Sequence, residues 1–244
     1  MTSSNRHAPC HAALPASAGR RRALLCIGAA GASRPLCLSP LGLMSAALGG
    51  CGKRGADFAN LDITGSRDFD PRFSLADSHG TLRTIADWHG KVVVLLFGYA
   101  QCPDVCPTSL AELARAKERL GADGNRLQVV FLTVDPDRDT PAILTEYVRA
   151  FDAGFVALRP ETDAAVQQLA KQFHIYVAKT PATSAAGASM SQPGAGHYGI
   201  AHTAASFVFD PEGRLRLYAK DGEGVDRWVH DARLLLAPER TGAA

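Results

Sequence analysis

The chain has 244 residues, with 26 Lys and Arg against 24 Asp and Glu and a formal net charge of +2. Five of the basic residues (Arg6, Arg20, Arg21, Arg22 and Arg34) and no acidic ones fall in the first fifty positions, so the remainder carries 21 basic and 24 acidic side chains, a net −3. The basic excess belongs to the leader, and nucleic-acid binding is not expected of the rest.

Arg20–Arg22 followed by Ala23-Leu24-Leu25-Cys26-Ile27-Gly28-Ala29-Ala30 has the layout of a secretory signal. Arg34, Pro35 and Pro40 interrupt the apolar stretch, which then falls short of the ~20 clean apolar residues of a spanning helix. The leader closes on Ala46-Ala47-Leu48-Gly49-Gly50-Cys51-Gly52, which resembles the lipobox of bacterial lipoproteins. By that resemblance Cys51 is the site of lipid attachment; an uncleaved anchor or a cut elsewhere is the alternative. Residues 1–50 thus read as an export signal, 51–68 as a tether, 69–238 as one functional domain and 239–244 as a tail. The domain is expected in the bacterial cell envelope, held to the membrane by a lipid or N-terminal anchor and facing the periplasm.

From Phe69 the elements follow in order. Arg72–Asp77 and Thr81–Thr84, split by Ser78-His79-Gly80, predict a small hairpin, and Ala86–Gly90 a helical turn. Lys91–Tyr99 is the most apolar run of the chain and has the β-branched content of a buried strand. After Cys102-Pro103-Asp104-Val105-Cys106-Pro107, the residues Leu110, Leu113, Ala114 and Leu120 recur at helical spacing, with Pro107 suited to the first helical position. Leu127–Val134 predicts a second buried strand, and Asp135-Pro136-Asp137-Arg138-Asp139-Thr140-Pro141 leads into a helix capped by Asp139 or Thr140. A short strand near Phe155–Leu158, a helix through Val166 to Phe173 and another short strand at Ile175–Ala178 come next. Residues 180–196, rich in Ala, Ser, Gly and Pro, read as a flexible insertion. Thr203–Asp210 and Arg214–Tyr218 flank a Pro-Glu-Gly turn as a C-terminal hairpin, and Val225 to Leu236 form a last helix. The class is α/β, a central mixed sheet flanked by helices.

Six cysteines are present; Cys10, Cys26 and Cys37 lie in the leader, Cys51 at its end, and Cys102 and Cys106 in the domain. That count excludes a disulfide-stapled mini-protein. Two thiols between a buried strand and a helix feel the positive end of the helix dipole, which favours thiolate. Wrapped into the first turn, positions i and i+4 would share a face. Core cysteines or a structural disulfide are the plainer alternatives.

A cysteine turn between strand and helix resembles thioredoxin-like folds, although three residues separate these cysteines instead of two. Phe97-Gly98-Tyr99 before the cysteine motif, the Asp135–Pro141 motif, and Tyr198-Gly199-Ile200-Ala201-His202-Thr203 resemble, in order and spacing, the Sco/SenC family of copper-binding assembly factors for cytochrome c oxidase. The resemblance covers roughly Phe69 to Leu236 and implies a thioredoxin-like fold. It also implies copper held by Cys102, Cys106 and His202, and delivery to the dinuclear copper site of an oxidase subunit or another envelope copper protein. Soft thiolates suit Cu(I), and imidazole binds either copper oxidation state. His202 is read as ending a loop and entering a strand. His79, His89, His174 and His230 read as surface or packing residues, and His197 and Met190 as incidental to the insertion. Asp139 is assigned to turn and cap chemistry, while Asp135 stays open between that role and one near the copper. The competing function is enzymatic: a thiol–disulfide oxidoreductase using Cys102 and Cys106 on the cysteines of a partner. A peroxidase on the same fold fits the paired thiols and His202 poorly.

Overall fold

Two seven-residue runs with every side chain buried, Val92–Gly98 and Leu127–Thr133, pair in parallel at the centre of the sheet. The computed structural model describes residues 57–181 and 198–238. Within them the strands are β1 (Leu61–Asp62), β2 (Leu75–Asp77), β3 (Leu82–Arg83), β4 (Val92–Gly98), β5 (Leu127–Thr133), β6 (Val156–Arg159), β7 (Val177–Pro181), β8 (Tyr198–His202), β9 (Ala205–Phe209) and β10 (Leu215–Lys220). The helices are α1 (Val105–Leu120), α2 (Pro141–Arg149), α3 (Asp163–Gln172) and α4 (Val225–Leu236). Eight strands form one sheet in the order β1-β10-β9-β4-β5-β6-β2-β3, and β7 and β8 form a separate two-stranded ribbon. β4, β5 and β6 run parallel, while β9, β10 and β2 add antiparallel, so the sheet is mixed as expected.

The period-2 alternation of a strand sorts the core into two layers. Val92, Val94 and Leu96 of β4 meet Leu110 and Leu113 of α1, Leu144 and Val148 of α2, and Trp228 and Leu235 of α4. Val93, Leu95 and Phe97 face the opposite way, against Val166, Leu169 and Ala170 of α3 and Phe173 just beyond it. Burial on both faces is why these strands read as continuous apolar runs.

Several boundaries differ from those read in the sequence. Leu61 and Asp62, within the stretch read as a tether, pair with Tyr218 and Leu217 of β10. Just before them, Asp231 of α4 accepts hydrogen bonds from the backbone N–H of Ala59 (2.7 Å) and Asn60 (3.0 Å) and from the Asn60 amide (2.7 Å). α1 starts at Val105, two residues before Pro107; the first turn of a helix has no N–H partners to lose, so proline is tolerated there too. The strand expected at Ile175–Ala178 lies at Val177–Pro181, taking in Thr180 and Pro181, which were read as the start of the insertion. The rest of that insertion, with Met190 and His197, lies outside the described residues, as do the leader and Cys51. Among the described residues, no helix is long and apolar enough to cross a membrane.

Candidate metal centre

The sulfurs are set by the way the chain leaves β4. The Val134 N–H donates to the Gly98 carbonyl at 2.8 Å, and beyond it the Cys102 N–H donates to the Tyr99 carbonyl at 3.1 Å, closing a tight turn. Ala100 within that turn is fixed by its N–H, which donates to Asp139 Oδ2 at 3.0 Å. Cys106 is the second residue of α1 and is buried at 1% exposure, while Cys102 sits before the helix and is half-buried. The turn, and not an i,i+4 face of the helix, brings the two together. Asp104 occupies the N-cap position without a side-chain cap bond, and the Cys102 sulfur accepts from the backbone N–H of Asp104 and Cys106. A thiolate thus takes up N–H groups that a helix start leaves unpaired.

The imidazole arrives from the ribbon. His202 ends β8, opposite Val177 of β7, and does not lead into β9 as a loop residue. Tyr198, Ile200 and His202 share one face of the strand; Ile200 is buried in the core, whereas Ala201 on the other face is exposed. His202 Nδ1 lies 3.0 Å from the Thr203 carbonyl. A carbonyl can only accept, so Nδ1 donates there and Nε2 is the nitrogen left to meet the Cys102 sulfur or a metal. The Tyr99 ring meets the His202 ring edge-on, with centroids 5.8 Å apart. Cys102, Cys106 and His202 each offer a ligand atom, and these lie within 4.8 Å of one another. Among the described residues, no second group of three His, Cys, Asp or Glu converges this way.

The pair shares one proton. The Cys106 side chain donates to the Cys102 sulfur and, with His202 and the two backbone N–H groups, holds the Cys102 thiol well below the ordinary range despite burial. The same hydrogen bond, together with burial, pushes the Cys106 thiol upward. Asp221, after β10, stands in the field of His202, Cys102 and Glu112; burial pushes its carboxyl up to about 7 against a 2.6 Å hydrogen bond from the Ser206 hydroxyl. Asp221 was not legible in the sequence as a neighbour of the thiols, since it sits in a run of ordinary surface polarity. Two soft sulfurs and one imidazole suit Cu(I) without a fourth donor, whereas a closed structural zinc site wants four.

The other candidates fall elsewhere. Asp135 is fully buried and does not join the donor cluster; it pairs with Arg138 and accepts from the Tyr198 hydroxyl at 2.5 Å. Thr140, not Asp139, caps α2, its hydroxyl accepting from the Ile143 N–H at 3.3 Å. Asp139 instead accepts from the Thr133 hydroxyl at 2.5 Å and from Ala100, which ties it to the thiol turn. His174 and His230 bond the backbone carbonyls of Asp68 and Asp57, as packing residues would.

The SCO1/SenC family model matches residues 62–237. Over 171 residues the chain is 28% identical to the mitochondrial SCO2 homologue of Bos taurus, covering 69% of this chain and 60% of that protein. The chain spans about 60% of the length of the curated relatives it matches. Among solved structures it is similar to apo Sco1 of Thermus thermophilus, with 34% identity, a TM-score of 0.59, and coverage of 74% of this chain and 99% of that one. It is also similar to copper-bound ScoI of Bradyrhizobium japonicum, at 29% identity and a TM-score of 0.57, covering 68% of this chain and 99% of that one. The fold is the thioredoxin-like one that the cysteine turn led us to expect.

Proposed function

Because the chain belongs to the SCO1/SenC family, we propose that it is a copper chaperone whose cargo is one copper ion held by Cys102, Cys106 and His202. The observation that carries this is the convergence of two sulfurs and an imidazole nitrogen within 4.8 Å. Copper supplies affinity for soft donors and is the group handed on. The chain's residues supply a thiolate already formed at Cys102, a second thiol in reserve at Cys106 and an oriented Nε2. The recipient is the dinuclear copper site of a cytochrome c oxidase subunit, or another copper protein of the bacterial envelope. Cys51 anchors the chain through a lipid, with the domain facing the periplasm.

The test is copper titration of the reduced full chain without oxygen, with Cys10, Cys26, Cys37 and Cys51 changed to Ser so that the pair alone is counted. One tight copper per chain, lost on Cys102→Ser and Cys106→Ser and weakened on His202→Ala, supports the chaperone. Absence of tight copper in the parent chain overturns it.

A second reading, thiol–disulfide exchange, is favoured by the lowered Cys102 thiol. Its thiolate would attack a partner disulfide, expelling one partner thiolate. Cys106, after losing its proton, would then attack the mixed disulfide and release the second, leaving Cys102–Cys106 oxidised and a thiol reductant required for the next cycle. Exchange undiminished by His202→Ala in a chain that binds no copper would favour it.

A further inference from the structure

The ribbon that carries His202 has no backbone pairing to the eight-stranded sheet, and a two-stranded unit is marginal by itself. Besides the short link through Thr203 and Ala204 to β9, side chains place it: the Gln167 amide of α3 donates to the Val177 carbonyl, opposite His202, at 3.1 Å. Ile200 packs into the core, but an aliphatic contact leaves the strand free to slide and roll. Lys179 of β7 reaches Asp137 and Asp163, whose side chains are 64% and 50% exposed, and ion pairs in such positions contribute little.

One tie is of another kind. Asp135, fully buried two residues past the end of β5, holds both the Arg138 Nε and the Tyr198 hydroxyl. Arg138 Nη1 donates to the Tyr198 carbonyl at 2.9 Å, and the guanidinium lies over the Tyr198 ring, 3.9 Å from its centroid. Tyr198 is thus gripped at its backbone, its ring face and its hydroxyl. It shares a strand face with His202, four residues away, so a strand held against rolling at Tyr198 is held at His202. The same guanidinium lies 5.9 Å from the Tyr99 ring, which meets His202 edge-on. The loop also fixes the other half of the site, because Asp139 binds the Ala100 N–H at the head of the thiol turn.

Resting on the copper reading above, we infer that Asp135, Arg138 and Tyr198 form a bracket that positions His202, so that the β5–α2 loop sets the separation of imidazole from thiols. These are positioning residues and touch no metal.

Two readouts on the full chain, with Ser at the same four cysteines, decide it. In the reduced, metal-free protein, the proton cross-relaxation between the Tyr99 and His202 rings should be lost on Arg138→Gln and weakened on Tyr198→Phe. In Cu(I) competition, Arg138→Gln should weaken binding about 10–100-fold, the usual reach of residues that orient a ligand. In a His202→Ala background the same change should cost nothing further, because its effect passes through that ring. A folded Arg138→Gln chain with the ring contact intact, or the same fold-loss in both backgrounds, overturns the bracket. Should Arg138→Gln not fold, Tyr198→Phe, which removes one hydroxyl, carries both readouts with a smaller loss. Should the parent chain bind no copper, the chaperone reading falls, and the metal-free ring contact still decides the bracket.

Discussion

Gly98 is the position where one added methyl group tests the site most directly. It ends β4, and a Cβ built there would lie 2.7 Å from Cys106 Sγ and 2.8 Å from Phe131 Cε2. Ordinary contacts fall at about 3.5–4.0 Å, so Gly98→Ala lacks roughly 1 Å on two sides. Phe131 has no exposed surface and is backed by the Tyr147 ring 5.4 Å away, leaving the first turn of α1, with Cys106, as the side that moves. Overpacking of this kind costs about 1–3 kcal/mol, which for a chain of this size lowers Tm by roughly 2–12 °C. Moving the buried sulfur away from Cys102 and His202 should also weaken Cu(I) binding about 10–100-fold. Urea unfolding of the reduced, metal-free chain reads the first effect and Cu(I) competition the second. In a Cys106→Ala background the stability cost should shrink, since one of the two clashes is gone. Wild-type unfolding and wild-type copper affinity in Gly98→Ala would refute the close approach and the site geometry with it.

Because Cys106 keeps its proton in the neutral range while Cys102 has lost its own, binding a metal to both sulfurs expels about one proton. Cu(I) affinity should therefore rise about tenfold per pH unit between roughly pH 6 and 8, and a flat series of competition measurements would contradict the shared proton. Asp231→Ala leaves the N–H groups of Ala59 and Asn60 without their acceptor, at a cost of about 2–4 kcal/mol, measurable as a lower urea midpoint. Burial raises the Asp210 carboxyl, but the Arg214 N–H and the guanidiniums of Arg214 and Arg216 outweigh it and hold the pKa below the ordinary range. A depressed carboxylate stabilises the fold above its unfolded pKa, near 3.9, and stops doing so as the pH falls through its folded pKa. The stability gap between wild type and Asp210→Asn should accordingly be open at pH 7 and close below about pH 4; an unchanged gap at pH 2 would refute the assignment.

What could be read from the sequence was whatever local pattern determines. Val92–Gly98 and Leu127–Thr133 were legible because burial on both faces removes every polar residue but Gln128 and Thr133 from them. Cys102 and Cys106 were legible because their turn and helix are contiguous in the chain. His202 was picked out from eight histidines by its match to a motif; nothing local to Tyr198–Thr203 says that it ends a ribbon of its own. Asp139 looked like a helix cap, since an Asp two residues before a Pro-led helix usually is one. It instead binds the Thr133 hydroxyl and the N–H of Ala100, 39 residues away. Asp221 and the grip of Asp135 and Arg138 on Tyr198 are likewise products of packing, and no periodicity announces them. Leu61–Asp62 was missed for a different reason: a two-residue edge strand is too short to have a pattern.

Under the proposed chaperone function the cargo must be held firmly and still released, and the two halves of this site divide those tasks. Cys106 is 1% exposed and packed among Leu110, Leu113 and Phe131, so a competing ligand has no path to it that spares the core. Cys102 and His202 are only half-buried, and they stand on a turn and on a ribbon that each depend on the β5–α2 loop for their place. Under the proposed chaperone function, an incoming donor therefore meets the metal on the Cys102 and His202 side. The buried thiolate holds on until last, and regaining a proton is what makes that sulfur give up the metal. On that reading, burial of one sulfur serves retention and exposure of the other serves release.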